Sequence, residues 1–137
     1  MFERCIFFNI QALARSLNAR WEHAFAEFGL TPAQGYMLRL VLNEPGQSQQ
    51  AIARGLQLEK STVTRLLSGL EGKGLIERKP VAGNARENAI HGTAAARQIH
   101  DALNATGQRL YDQMTDTVGE NTLKGFVQQA RTINDQI

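Results

Sequence analysis

Near the start of the chain, apolar residues fall at Ile6, Ile10, Leu13, Leu17, Trp21, Phe25 and Phe28. Steps of three and four residues put them on one side of a 3.6-residue period, which predicts a long amphipathic helix from about Phe2 to Phe28. Gly29 follows as a C′ glycine. In Thr31-Pro32-Ala33-Gln34, threonine suits the N-cap, proline the first helical position, and glutamine completes a capping box. The helix it opens stops before Glu44-Pro45-Gly46. Ser48 caps a short third helix with Ile52, Ala53 and Leu56 inward. Gln57-Leu58-Glu59 is a tight break. A fourth helix starts near Lys60-Ser61, with Val63, Leu66, Leu67 and Leu70 at i, i+3, i+4 and i+7, and ends at Gly72-Lys73-Gly74.

The period then changes. Leu75 to Val81 reads as a short strand, Gly83-Asn84 as a turn, and Asn88 to His91 as a weak second strand, together a basic hairpin. Thr93 caps a long helix carrying Ile99, Leu103, Leu110, Met114 and Val118. Gly119 breaks it, and a last helix runs from about Asn121 with Leu123, Phe126, Val127, Ala130 and Ile133 inward. Two helices joined by a tight turn and followed by a hairpin make a winged helix-turn-helix. The expected fold is therefore mainly α (α+β). It is a single domain over 1–137, with a winged helix-turn-helix and two-stranded wing at 31–92 between helical segments at 1–29 and 93–137.

Composition narrows the class. With 137 residues, 42% hydrophobic and 20% charged, the chain is long enough for one domain with its own core. No window is apolar for long enough to span a membrane. The N-terminus lacks a basic segment and a small-residue cleavage site, so no signal peptide is expected. Cys5 is the single cysteine, which excludes an intrachain disulfide and fits a reducing cytoplasm. No G-x-S-x-G, P-loop or dinucleotide fingerprint is present, so neither an enzyme nor a cofactor is expected. His23, His91 and His100 lie far apart without ligand spacing, and no metal site is expected.

Charge is uneven along the chain. Between Gln47 and His91 stand Arg54, Lys60, Arg65, Lys73, Arg78, Lys79 and Arg86, against Glu59, Glu71, Glu77 and Glu87. The flanks hold slightly more acid than base. A basic centre suits a nucleic-acid surface. With the apolar stripe of the fourth helix turned inward, its outer face carries Ser61, Thr64, Arg65, Ser68 and Gly72. Short hydroxyls permit close approach to a major groove, and an arginine can grip guanine O6 and N7. Lys60 and Thr62 flank this face, and Ser48 lies at the start of the preceding helix. The same serines and threonines also suit plain caps, and Arg65 a solvated charge. The hairpin adds Arg78, Lys79, Asn84 and Arg86, the last suited to a narrow minor groove.

The stretch from Gln47 to Asn88 resembles the central part of the MarR family of bacterial transcription regulators. Matching residues are Ile52-Ala53, Leu56, Leu58, Ser61-Thr62-Val63-Thr64-Arg65, Leu70-Glu71, Lys73-Gly74-Leu75-Ile76-Glu77-Arg78, Arg86 and Thr93. The resemblance implies a homodimer built from the first and last helices. It also implies a recognition helix at about Lys60 to Gly72, a wing arginine at Arg86, and double-stranded DNA as partner. It further implies a repressor on a pseudo-palindromic operator. Three positions depart from the family pattern. Gln57 replaces a turn glycine, so either a left-handed residue there carries strain or the turn takes a slightly different form. Asn84 replaces the wing aspartate that orients the arginine, keeping an acceptor without the charge. Gly92 replaces a leucine, which predicts a looser junction between wing and helix.

Relatives in that family respond to small molecules or oxidants, which singles out two further groups. Trp21, Phe25, Tyr36, Met37 and Arg39 offer apolar walls and a counter-charge for an aromatic or phenolic effector, although aromatics at helical spacing equally make a core. Cys5 lies near a helix start beside Arg4, which suits a reactive thiol, and before Ile6-Phe7-Phe8, which suits a small packed hydrophobe. The competing functional class is a winged-helix protein-interaction module without DNA-binding activity.

Overall fold

The computed structural model describes residues 1–137, apart from the side chains of Ala85 and Arg86. Its elements are α1 (Ile6–Ala26), α2 (Pro32–Asn43), α3 (Gln49–Leu56), α4 (Lys60–Gly72), β1 (Ile76–Val81), β2 (Asn84–Gly92), α5 (Ala94–Val118) and α6 (Glu120–Gln136). Six helices and a two-stranded antiparallel sheet make the mainly helical winged helix-turn-helix expected from the sequence. The chain divides into two compact units, Met1–Leu103 and Asn104–Ile137.

In the first unit, α1 begins four residues later than the periodicity suggests. Cys5 is its extended N-cap, and the residues before it form a turn in which the Cys5 N–H bonds the Phe2 carbonyl at 3.0 Å. The Asn9 amide donates to the carbonyls of Cys5 (2.8 Å) and Glu3 (3.1 Å), tying the turn before the helix to its first turn, where the Cys5 carbonyl also accepts the Asn9 backbone N–H at 3.1 Å. At the other end Gly29 takes φ +67°, as a C′ glycine should.

The capping box at Thr31 forms with both bonds: Gln34 N–H to Thr31 Oγ1 at 3.2 Å, and Thr31 N–H to Gln34 Oε1 at 3.1 Å. Lys73, just past α4, completes this corner. Its ammonium donates to the Gly29 carbonyl at 2.6 Å and to Gln34 Oε1 at 3.0 Å. The end of α4 is thus tied to the α1–α2 corner.

The core gathers Phe25, Leu30, Met37, Leu38, Val41, Ile52, Val63, Leu67, Leu70, Ile76, Ile90, Ala96 and Leu103. Each large side chain contributes roughly 1.5–3 kcal/mol by leaving water. Gly35 is required here because a Cβ would run into the Phe25 ring.

The wing is longer than expected. β2 starts at Asn84 rather than Asn88: the ladder pairs Pro80 with Asn88, shifts register, and pairs again at Val81 and Asn84. Its base is also fastened to the loop before α3. Ile90 N–H bonds the Gln47 carbonyl and Gly46 N–H bonds the Ile90 carbonyl, both at 2.9 Å. The junction with α5 is tight rather than loose. Gly92 pairs with Ile76, and a Cβ on it would strike Leu42 Cδ2. Thr93 Oγ1 donates to the Gly74 carbonyl at 2.7 Å and accepts the Ala96 N–H as cap.

In the second unit, Gly119 at φ +89° separates the last turn of α5 from α6. Among the described residues α6 buries none, and Phe126, Val127 and Ile133 are exposed. Glu120 and Lys124 pair at 2.7 Å one turn apart. That bond holds the Glu120 carboxyl below, and the Lys124 ammonium above, their ordinary values.

Candidate nucleic-acid interface

The turn between α3 and α4 sets the direction of α4. Gln57 sits at φ 54°, ψ 44°, in the left-handed region. Around it Leu58 N–H bonds the Ala53 carbonyl at 3.1 Å and Gln57 N–H bonds the Arg54 carbonyl at 3.3 Å. This is a Schellman closure, made here without the glycine that usually supplies it.

Helix α4 then presents two faces. Val63, Leu67 and Leu70 are buried and Leu66 is half-buried. Ser61, Thr64, Arg65 and Ser68 are exposed on the opposite side, with exposed Lys60 and half-buried Thr62 at the start of the helix. Arg65 makes no hydrogen bond or ion pair among the described residues, so its guanidinium is available for an external acceptor.

An open groove of about 730 Å³ lies between the start of α3, the start of α4 and the wing. Ser48, Lys60, Arg78 and Asn84 line it, as the sequence grouped them. Gln49 and Arg54 line it too and escaped the sequence reading. Arg54 carried no signal beyond the regional charge, and Gln49 looked like an ordinary first-turn residue. Three cations (Arg54, Lys60, Arg78) against one carboxylate (Glu87) give the groove a positive bias, which suits phosphate.

The individual partners separate the predicted residues. Ser48 Oγ accepts the Ala51 N–H at 3.1 Å and is the α3 cap. Arg78 is half-buried and engaged: Nη1 donates to Gln49 Oε1 at 3.2 Å, and Nε lies 3.4 Å from Glu71 Oε2. Gln49 Nε2 in turn donates to Thr64 Oγ1 at 2.6 Å, and Thr64 Oγ1 donates to the Lys60 carbonyl at 3.0 Å. Lys79 is exposed and lies 3.5 Å from Glu77. Asn84 Nδ2 donates to Glu87 Oε2 at 3.0 Å. The predicted wing arginine, Arg86, lies outside the described residues.

The effector candidates form a partly connected set. Trp21 Nε1 donates to the Tyr36 hydroxyl at 3.0 Å, and the Arg39 guanidinium sits 5.2 Å from the Tyr36 ring centroid. Phe25 packs on Tyr36 at 5.5 Å but is fully buried, as is Met37; these two belong to the core of the unit. Cys5 is half-buried at the α1 N-cap. Among the described residues no group of three or more His, Cys, Asp or Glu could hold a metal ion, and no helix is long and apolar enough to cross a membrane.

Comparison with known proteins adds sequence and fold neighbours. A family model described as the MarR family matches residues 28–87. Transcriptional regulator HosA of Escherichia coli O157:H7 is 26% identical over 125 residues, covering 91% of each chain. The structure of S. aureus MepR in complex with DNA shares the fold at TM-score 0.84 and 20% identity, covering 98% of this chain and 100% of that one. The repressor CouR, solved on a 23-mer DNA duplex, does so at TM-score 0.84 and 23% identity, over 97% and 94% of the two chains.

Proposed function

Because the chain belongs to the MarR family of transcription regulators, we propose that it binds double-stranded DNA sequence-specifically as a homodimer and represses transcription from a pseudo-palindromic operator. The observation that carries this reading is the outward face of α4. Short hydroxyls surround an arginine with no partner among the described residues, beside a groove biased toward positive charge. Residues 31–92 form the reading head. Half-sites one helical turn apart, about 10 bp, suit two such heads.

Dimerisation is supported by apolar surface that one chain leaves uncovered. Ile6, Phe7, Phe8, Ile10 and Leu13 of α1 are exposed, and so are Phe126, Val127 and Ile133 of α6. Rows of this kind on two helices exceed what a monomer ordinarily presents to water. Segments 1–29 and 93–137 therefore serve as the dimerisation helices. Trp21, Tyr36 and Arg39 pair aromatic surface with a cation, which suits a small aromatic or phenolic effector with an anionic group. The protein acts in the cytoplasm.

The deciding experiment is a fluorescence-anisotropy titration on the DNA upstream of the protein's own gene and on a scrambled duplex, at two salt concentrations. Arg65→Ala is run alongside. Tighter, salt-dependent binding to the upstream DNA, weakened by about 1–3 kcal/mol in the variant, supports the proposal. Equal, weak binding to both duplexes and to duplexes selected from random DNA refutes it in favour of a protein-interaction module.

A further inference from the structure

The relay from Glu71, ion-paired to Arg78, through hydrogen bonds from Arg78 to Gln49 and Gln49 to Thr64 has a defined direction. A guanidinium only donates, so the group of Gln49 that faces Arg78 must be its carbonyl oxygen. The Gln49 amino group then faces Thr64, and the Thr64 oxygen must accept from it. The Thr64 proton goes back to the Lys60 carbonyl. A hydroxyl has one proton and two lone pairs. One lone pair and the proton are thus committed, and what remains for an outside partner is a single acceptor site. Glu71 secures the far end of the relay by holding Arg78.

We propose that Gln49 is a specificity-positioning residue: by filling one lone pair of Thr64 it fixes the hydroxyl with its proton on the Lys60 carbonyl and so holds Thr64 as an acceptor-only reader on the exposed face of α4. The inference rests on the DNA-binding reading above. In the major groove, adenine N6 and cytosine N4 present donors, whereas guanine O6 and N7 and thymine O4 present acceptors. An acceptor-only hydroxyl selects adenine or cytosine at the base edge it meets. It discriminates against guanine and thymine, which would face a lone pair with a lone pair. The relay also explains why Arg78, half-buried and doubly engaged, stands so near the reading helix. Its guanidinium orients Gln49 and leaves the outward role to Arg65 and Thr64.

The test is selection of bound duplexes from a random-sequence pool by the full chain, comparing wild type, Thr64→Val, Gln49→Met and the double variant. Circular-dichroism melts check that each is folded. The expected result has three parts. Wild type enriches adenine or cytosine at one position per half-site. Thr64→Val and Gln49→Met each lose that preference by about fivefold at the same position, the scale of one hydrogen bond. The double variant loses no more than either single one, and in every variant the loss at that position exceeds any loss on unselected duplex. A purely structural role would instead weaken all sequences alike, and that result overturns the inference. So does an unchanged preference in Gln49→Met, or a Thr64-dependent preference for guanine or thymine. Failure of wild type to enrich any sequence refutes the DNA-binding reading itself, and is told apart from the other outcomes by the wild-type arm alone.

Discussion

Gln57→Gly should stabilise the protein, although it removes a side chain. Gln57 is the sole non-glycine residue with positive φ among the described residues, at φ 54° and ψ 44°. An L-residue with a Cβ in this region carries about 1–2 kcal/mol of strain. Glycine removes that strain but enlarges the unfolded ensemble, at a cost of about 0.4–1 kcal/mol. The exposed Gln57 side chain makes no hydrogen bond among the described residues, so little else is lost. The net gain is centred on about 0.8 kcal/mol, within about 0–1.6 kcal/mol, or about 3 °C in Tm for a chain of this size. Gln57→Ala retains the Cβ and the strain, so it should stay close to wild type. Urea unfolding of all three proteins at one fixed concentration measures the difference, since the midpoint of any self-associating protein depends on concentration. If glycine is no more stable than alanine, the turn is not left-handed in solution, and the account of how α4 is aimed fails.

Three further outcomes follow from particular contacts. Gly92→Ala should destabilise by about 1–3 kcal/mol, because its Cβ meets Leu42 in a buried junction; an unchanged urea midpoint would mean the junction is slack. Phe126→Glu should leave the helical content intact and yield a monomer in sedimentation at concentrations where wild type is a dimer; a persisting dimer would take α6 out of the interface. Lys124→Gln should raise the Glu120 titration toward the ordinary carboxylate range, followed by NMR. In wild type that pair's contribution is present above the unfolded carboxyl pKa and fades as pH falls through the depressed folded one. An unmoved titration would show that the pair does not form in solution.

Most of the architecture was legible in order and type. Threonine, proline and glutamine at 31–34 dictate a capped helix start through bonds made within four residues. The Val63, Leu67, Leu70 stripe dictates which way α4 faces, and so which residues it exposes, since 100° per residue leaves no other choice. Glycines at 29, 83 and 119 mark breaks because positive φ is easy only for them. Boundaries set by competition were less legible. A turn tied down by the Asn9 side chain precedes α1, and a bridge beyond a register shift, Val81 with Asn84, carries β2 back to Asn84.

The partners of the candidate site were not legible at all. Arg78, Lys79 and Arg65 look alike along the chain, as basic residues of one region. In the fold Arg78 is held by Glu71 and Gln49, Lys79 lies beside Glu77, and Arg65 is left open. Gln49 and Thr64 are fifteen residues apart and meet because two helices cross. Lys73 finds the Gly29 carbonyl across forty-four residues. Local sequence sets helix, strand, turn and face, because those depend on bonds and periods spanning a few residues. Which polar groups neutralise one another, and which remain open to an outside partner, depends on how separate elements pack, and that is decided by the core they share.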